Sequence, residues 1–187
     1  MRHSAVLFPP GELAAAAVRV AEEIGADLGD DRPILVAVMK GAVVFLADVV
    51  RQARFDLDID FLAIAPFGQG RVRIEHDISM DVDGRRVVVV EDIVDTGLTL
   101  SYLLRTLRAR GAASVDVATL LDRAARRLVE VPVRWKGFDI DDRYVVGYGM
   151  DHAGRYRNLP DVRTVHDLAA LAANPDLLVP EVLKAQG

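Results

Sequence analysis

Val87-Val88-Val89-Val90-Glu91-Asp92-Ile93-Val94-Asp95-Thr96-Gly97-Leu98-Thr99 is the stretch that decides how this 187-residue chain folds. Four consecutive valines after a turn signal at Asp83-Gly84 have the pattern of a strand covered on both faces. The run ends in two adjacent acids, Glu91 and Asp92. Core packing does not account for them, because a buried charge is expensive unless it is paired or metal-bound. Beyond them a short loop leads into a helix over 97–110, whose Leu100, Leu103, Leu104 and Leu107 share one stripe and which stops at Gly111. A strand, an acid pair, a loop and a helix N-terminus follow one another within 13 residues. That order puts the acids where α/β sheets hold ligands, at the carboxyl end of a strand.

Two chemistries suit this rim. Glu91 and Asp92 are fitted to hold ribose hydroxyls directly, or to position Mg²⁺ through oxygen contacts and water. Asp95, Thr96, Gly97, Leu98 and Thr99 present successive backbone N–H groups at a helix N-terminus. Gly97 permits close approach and the two hydroxyls add donors, which makes a phosphate cradle. It is not a Walker A loop, since G-x-x-x-x-G-K-[ST] is absent. A plainer reading has Asp95 or Thr96 capping the helix and both acids in solvent. The buried strand before them and Thr99 after them weigh against it.

Outward from this segment, strands and helices alternate. Residues 11–28 carry Leu13, Ala17, Val20, Ile24 and Leu28 at helical spacing, and Ile34 to Met39 is a short apolar strand. A helix bearing Val43, Val44, Leu46, Ala47 and Val50 follows. Residues 55–61 alternate strictly, Phe-Asp-Leu-Asp-Ile-Asp-Phe, as a strand with one polar face. A loop at 66–70 precedes a further strand at 72–78, and strands are expected at 115–121 and 144–147. The alternation predicts an α/β fold with a mostly parallel twisted sheet flanked by helices. Residues 174–187 contain two prolines and are expected to pack on the domain or on a neighbouring subunit.

Composition sets the outer limits. Hydrophobic residues make up 51% and charged residues 27%, an ordinary globular balance that argues against disorder. The formal net charge of −5 gives no broad basic surface for nucleic acid, though it leaves room for a local cationic pocket. There is no cysteine, hence no disulfide, thiolate nucleophile or cysteine-ligated metal. His3, His76, His152 and His166 lack metal-ligand spacing. Asp56, Asp58 and Asp60 are not a calcium loop, because Phe61 stands where glycine is required. Arg126-Arg127 reads as solvated surface. No run is long and apolar enough to cross a bilayer and no secretory signal opens the chain, so a cytoplasmic location is expected. Only three lysines occur, at 40, 136 and 184, against twenty arginines. A lysine retained against that bias is a candidate for a specific task.

The segment 87–99 resembles the signature by which type I phosphoribosyltransferases bind phosphoribosyl pyrophosphate (PRPP). Val38-Met39-Lys40-Gly41-Ala42 resembles the pyrophosphate loop of the hypoxanthine-guanine group, where a cis peptide precedes the lysine and turns backbone amides toward pyrophosphate. Residues 137–151, Gly-Phe-Asp-Ile-Asp-Asp-Arg-Tyr-Val-Val-Gly-Tyr-Gly-Met-Asp, and 152–161, His-Ala-Gly-Arg-Tyr-Arg-Asn-Leu-Pro-Asp, are similar to that group's carboxyl-terminal part. The resemblance covers residues 33 to 165. It implies a single phosphoribosyltransferase domain over 1–187 with a small hood or flap and a tail at 166–187. It also implies transfer of the phosphoribosyl group from PRPP to a 6-oxopurine, with Mg²⁺ as cofactor, in a homodimer or homotetramer. Site by site, it implies Lys40, Gly41 and Arg157 on pyrophosphate, and Glu91, Asp92 and Asp151 on the metal. Residues 91, 92 and 95–99 would bind PRPP, Asp95 would be the general base, and Arg123, Tyr144 and Val145 would form the purine site.

Two departures stand out. Arg123 occupies the position of the lysine that usually contacts the purine 6-oxo group, and arginine's fork is larger and differently placed. Residues 65–72, Ala-Pro-Phe-Gly-Gln-Gly-Arg-Val, are about five residues shorter than the family's mobile lid and lack its Ser-Tyr pair. A rival from another class is a nucleotide-sensing or RNA-binding regulator on the same fold, which the negative net charge disfavours.

Overall fold

The computed structural model describes residues 2–67 and 71–183. Its main sheet has six strands: β2 (Ile34–Met39), β3 (Asp58–Phe67), β4 (Arg71–His76), β5 (Arg86–Val94), β6 (Ser114–Asp122) and β7 (Val133–Asp139). They lie in the order β4-β3-β2-β5-β6-β7 and pair in parallel throughout, except that the edge strand β4 runs antiparallel to β3. Helices α1 (Pro10–Leu28) and α2 (Val43–Gln52) cover one face and α3 (Leu98–Ala109) covers the other.

The four-valine run shows why the fold needs an unbroken apolar strand. Val88 and Val90 pack with Leu13, Val20, Ile24 and Phe45 beneath α1 and α2. Val87 and Val89 point the other way, against Leu100, Leu103, Leu104 and Leu107 of α3. Every residue of the run therefore meets a helix, and all four valines are buried.

A second, three-stranded sheet stands apart as a hood. It pairs β1 (Ser4–Phe8), β9 (Val162–Val165) and β8 (Val145–Val146) antiparallel, in the order β1-β9-β8. The expected strand at 144–147 is thus only two residues long and belongs to this hood. The short helices α4 (Leu168–Ala173) and α5 (Val179–Val182) close it, with Leu171, Leu178 and Val182 packed on Val146, Tyr156 and Leu159. The terminal segment accordingly packs on the chain itself as far as residue 183.

Three readings need correction. Residues 55–57 precede β3, and the strand's acidic side is not solvated. Asp60 is 6% exposed and Ile59 is 41% exposed. The Asp60 carboxylate accepts from the N–H groups of Phe61, Ser79 and Met80 and from the Ser79 hydroxyl at 2.7–3.2 Å, which makes its burial tolerable. Pro66 and Phe67 continue β3 rather than forming a loop, in register with Val72 and Arg71 of β4. The centre of the short lid, 68–70, lies outside the described residues. The third correction, at Arg127, belongs to the site.

Candidate active site

The carboxyl ends of β2 and β5, the N-terminus of α3 and the turn after β8 converge on one cavity of about 350 Å³. Its lining contains Lys40, Gly41, Glu91, Asp92, Asp95, Thr96, Gly97, Thr99, Asp151 and Arg157. Ten residues singled out from sequence, separated by up to 117 positions, thus meet in one place. Leu98 does not join them: its side chain is half exposed, and only its backbone belongs to the helix start.

Each wall has a local cause. The Met39–Lys40 peptide is cis, as the resemblance implied. At Gly41 the chain passes so close to β5 that a Cβ there would overlap the Asp92 carboxylate, so only glycine brings this loop against the acid pair. Glu91 and Asp92 are half-buried at the end of β5. Burial, with the charge of Asp92 added to it, pushes the Glu91 carboxyl well above the usual range. Burial also raises Asp92, partly opposed by the Ile93 N–H, which donates to its Oδ1 at 2.8 Å, and by the Arg157 charge. Two neighbouring carboxyls are thus desolvated together, and each would gain from a cation or a hydroxyl donor placed against it.

The loop before α3 is shaped by Gly97, whose φ of 81° is open to glycine and strained for most other residues. The Thr96 carbonyl accepts from Leu128 N–H at 2.9 Å and Val129 N–H at 3.1 Å, which ties the loop to the segment after β6. The N-cap position of α3 is Gly97, and the Thr96 hydroxyl oxygen accepts from the Leu98 N–H at 3.5 Å, so Thr96 keeps a weak capping role while the Asp95 carboxylate meets arginines instead.

Arg157 closes the far side. Its Nη1 donates to the Gly149 carbonyl at 2.7 Å and its Nη2 lies 2.6 Å from Asp151 Oδ1. The second Asp151 oxygen accepts from Gly154 N–H at 2.6 Å. An adjoining cavity of about 240 Å³ shares Asp92, Asp95 and Asp151 with the first and adds Arg123, Tyr144 and Val145. All three residues expected around a flat base therefore line one pocket beside the acid-rich one.

Asp95 stands between the two. Its Oδ2 lies 3.6 Å from both Arg123 Nη1 and Arg126 Nη1, while its Oδ1 is buried without a partner. Arg123 is 6% exposed; its Nη2 donates to the Arg143 carbonyl at 2.6 Å, and its Nε is also unpartnered. A buried acceptor and a buried donor left open in one pocket mark a place for a polar ligand.

Arg127 is not solvated surface, whereas Arg126 is exposed as expected and still reaches two acids. Arg126 reaches Asp95 and, at 3.4 Å, Asp142. Arg127 is largely buried, paired with Asp122, and packed where a Cβ on Gly97 would go. The signal that would have exposed Arg127 is the acid before it, Asp122, the last residue of the buried strand β6. His152 was also passed over; its Nδ1 lies 3.0 Å from the Tyr144 hydroxyl.

Geometry of this kind, an α/β sheet with an acid pair at one strand end, a glycine-opened helix start and a cationic clamp, defines a protein built to hold a phosphorylated sugar beside a planar base. A family model described as phosphoribosyl transferase domain matches residues 9–153. Hypoxanthine phosphoribosyltransferase of Haemophilus influenzae is 45% identical over 134 residues, covering 69% of this chain and 75% of that protein. Hypoxanthine-guanine phosphoribosyltransferase of Bacillus subtilis is 38% identical over 160 residues, covering 83% and 89%. The crystal structure of a hypoxanthine-guanine phosphoribosyltransferase from Bacillus anthracis superposes with a TM-score of 0.83 at 36% identity, covering 86% of this chain and 98% of that one. The chain belongs to the phosphoribosyl transferase family, in its hypoxanthine and hypoxanthine-guanine phosphoribosyltransferase branch.

Proposed function

We propose that this protein salvages purines by moving the 5-phosphoribosyl group of PRPP onto a ring nitrogen of a 6-oxopurine, hypoxanthine or guanine and also xanthine, with release of pyrophosphate. The observation that carries the reading is the pair of cavities sharing Asp92, Asp95 and Asp151, one acid- and amide-lined, the other holding Arg123 and Tyr144. The loop 95–99 receives the 5-phosphate on its amides and hydroxyls, and Glu91 and Asp92 face the ribose. As the bond to pyrophosphate breaks, the sugar turns oxocarbenium-like and negative charge grows on the leaving group. Lys40, the amides around Gly41 and Arg157 meet that charge, the kind of electrostatic stabilisation that usually contributes most.

The base stacks on Tyr144 and meets the Val145 backbone along its edge. Arg123 donates to the 6-oxo group. Arginine has no acceptor, so a 6-amino purine finds no partner there, which favours hypoxanthine and guanine over adenine. Asp95, with one oxygen unpartnered, takes the proton from the purine.

The acid pair also fits Mg²⁺. Glu91 and Asp92 are adjacent and desolvated, and neither has an ion-pair partner among the described residues. Among those residues no three acids or histidines converge as a metal cage. Mg²⁺ keeps several waters and takes one or two carboxylates plus substrate oxygens, so Glu91 and Asp92 would hold it directly and Asp151 would reach it through water. When bound, Mg²⁺ would neutralise charge on the diphosphate. A cytoplasmic homodimer or homotetramer completes the reading.

A spectrophotometric assay with PRPP, Mg²⁺ and four bases tests it. Conversion of hypoxanthine or guanine with stoichiometric pyrophosphate, and none of adenine, is expected. No conversion of any base, with RNA binding that weakens steeply in salt, would transfer the case to the regulator.

A further inference from the structure

Tyr144 is the aromatic side chain of the base cavity, yet little of its own strand holds it. β8 begins one residue later and is two residues long. The backbone is pinned through the Tyr144 carbonyl, which accepts from Val165 N–H at 2.9 Å, but that bond leaves the ring free to rotate. The ring packs against the hood cluster of Val146, Tyr156 and Leu159, and its phenol end is held by His152. The phenol oxygen lies 3.0 Å from His152 Nδ1, and the two rings meet edge to face with centroids 5.7 Å apart at 80°. The phenol and Nδ1 share this hydrogen bond, the phenol donating in the tautomer that leaves Nδ1 without a proton. The Asp151 carbonyl, at 3.5 Å, is at the outer limit for the same proton.

His152 is itself held. It opens a tight turn in which its N–H donates to the Arg155 carbonyl at 3.2 Å and the Arg155 N–H returns to the His152 carbonyl at 3.0 Å. Ala153 at φ 51° and Gly154 at φ 80° form the primed geometry that such a turn requires. The same turn directs Gly154 N–H to Asp151, and Asp151 in turn meets Arg157. One small turn thus reaches both the diphosphate side and the base side of the site. Tyr144 is only half-buried, so full burial of the side chain does not demand the bond.

We infer that His152 is a positioning residue that fixes the ring plane of Tyr144 for the incoming base and so sets base affinity. This rests on the reading of Tyr144 as the stacking ring. The test is a double-mutant cycle of His152→Ala and Tyr144→Phe on the purified enzyme, with Tyr144→Ala alongside. His152→Ala is expected to raise the base KM about fivefold, equivalent to roughly 1 kcal/mol for one hydrogen bond, and to leave the PRPP KM alone. Tyr144→Phe should do the same, the double variant should be no worse than either single one, and His152→Asn should recover most of the loss. Additive effects, or an equal rise in the PRPP KM, would overturn the inference. If Tyr144→Ala raises the base KM while His152→Ala does not, the inference alone fails. If Tyr144→Ala leaves it unchanged, the stacking reading fails as well.

Discussion

Gly41→Ala probes the site's tightest approach without touching a charge. The added methyl would overlap the Asp92 carboxylate, contacting both its Oδ2 and its Cγ. Gly41 has no left-handed backbone requirement, so the whole cost falls on the contact between the β2 loop and the end of β5. To restore ordinary van der Waals distance, the loop and the acid must part by nearly two ångströms, and a misplacement of even about 1 Å costs on the order of 10²-fold in rate. The expected result is a loss in kcat/KM for PRPP of about 10²-fold, or about 2.7 kcal/mol of transition-state stabilisation. In an Asp92→Ala background the obstruction is gone, and Gly41→Ala should then cost less than about threefold. Steady-state kinetics with PRPP varied at saturating hypoxanthine reads both numbers. A Gly41→Ala enzyme within about threefold of the parent would show that the loop and the acid pair do not act on the same diphosphate.

Three further outcomes are expected. Asp95→Asn should lower turnover by about 10²-fold or more, the range for a general base, with a much smaller effect on the PRPP KM; stopped-flow or steady-state rates decide, and unchanged turnover removes Asp95 from the proton transfer. Arg123→Lys loses the fork that joins Asp95 and the Arg143 carbonyl, so base KM values should shift several-fold while the PRPP KM holds, as measured across hypoxanthine, guanine, xanthine and adenine. Asp60→Asn places an amide against four donors and should cost about 2 kcal/mol, lowering Tm by about 4–8 °C in a chain of this size. Burial alone would raise the Asp60 carboxyl, but the N–H groups of Met80, Phe61 and Ser79 and the Ser79 hydroxyl outweigh it and hold the carboxyl below its ordinary 3.8. A depressed folded value means full stabilisation above pH 3.8 and loss as pH falls through the folded value, so the gap between parent and Asp60→Asn should close only in strong acid.

What was legible in the sequence was what local pattern controls. The valine run, its acid pair and the leucine stripe of α3 each report their surroundings through their own spacing, and all three stand where spacing placed them. The hood was not legible, because β1 and β9 are short and lie at opposite ends of the chain, with Ser4 paired to Val165. β7, Val-Arg-Trp-Lys-Gly-Phe-Asp, is the other edge strand; its period-2 alternation stood in the sequence and was passed over, with Arg134, Lys136 and Asp139 exposed and paired to Asp27, Asp116 and Asp122 or to each other. At Asp60 the alternation was correct and the side was not, since the donors that make its burial tolerable come from a loop 19 and 20 residues away. The site residues carried by resemblance, Leu98 apart, line two adjoining cavities, whereas Arg126 meets Asp95 and Asp142 across segments that no single motif contains.

The most direct test is titration calorimetry of PRPP into the protein with Mg²⁺ present. The account requires saturable binding at one site per chain, weakened strongly when Asp92 is replaced by alanine. Absence of heat with PRPP and with every nucleoside monophosphate tried would mean that the link between β5 and α3 is an ordinary connector.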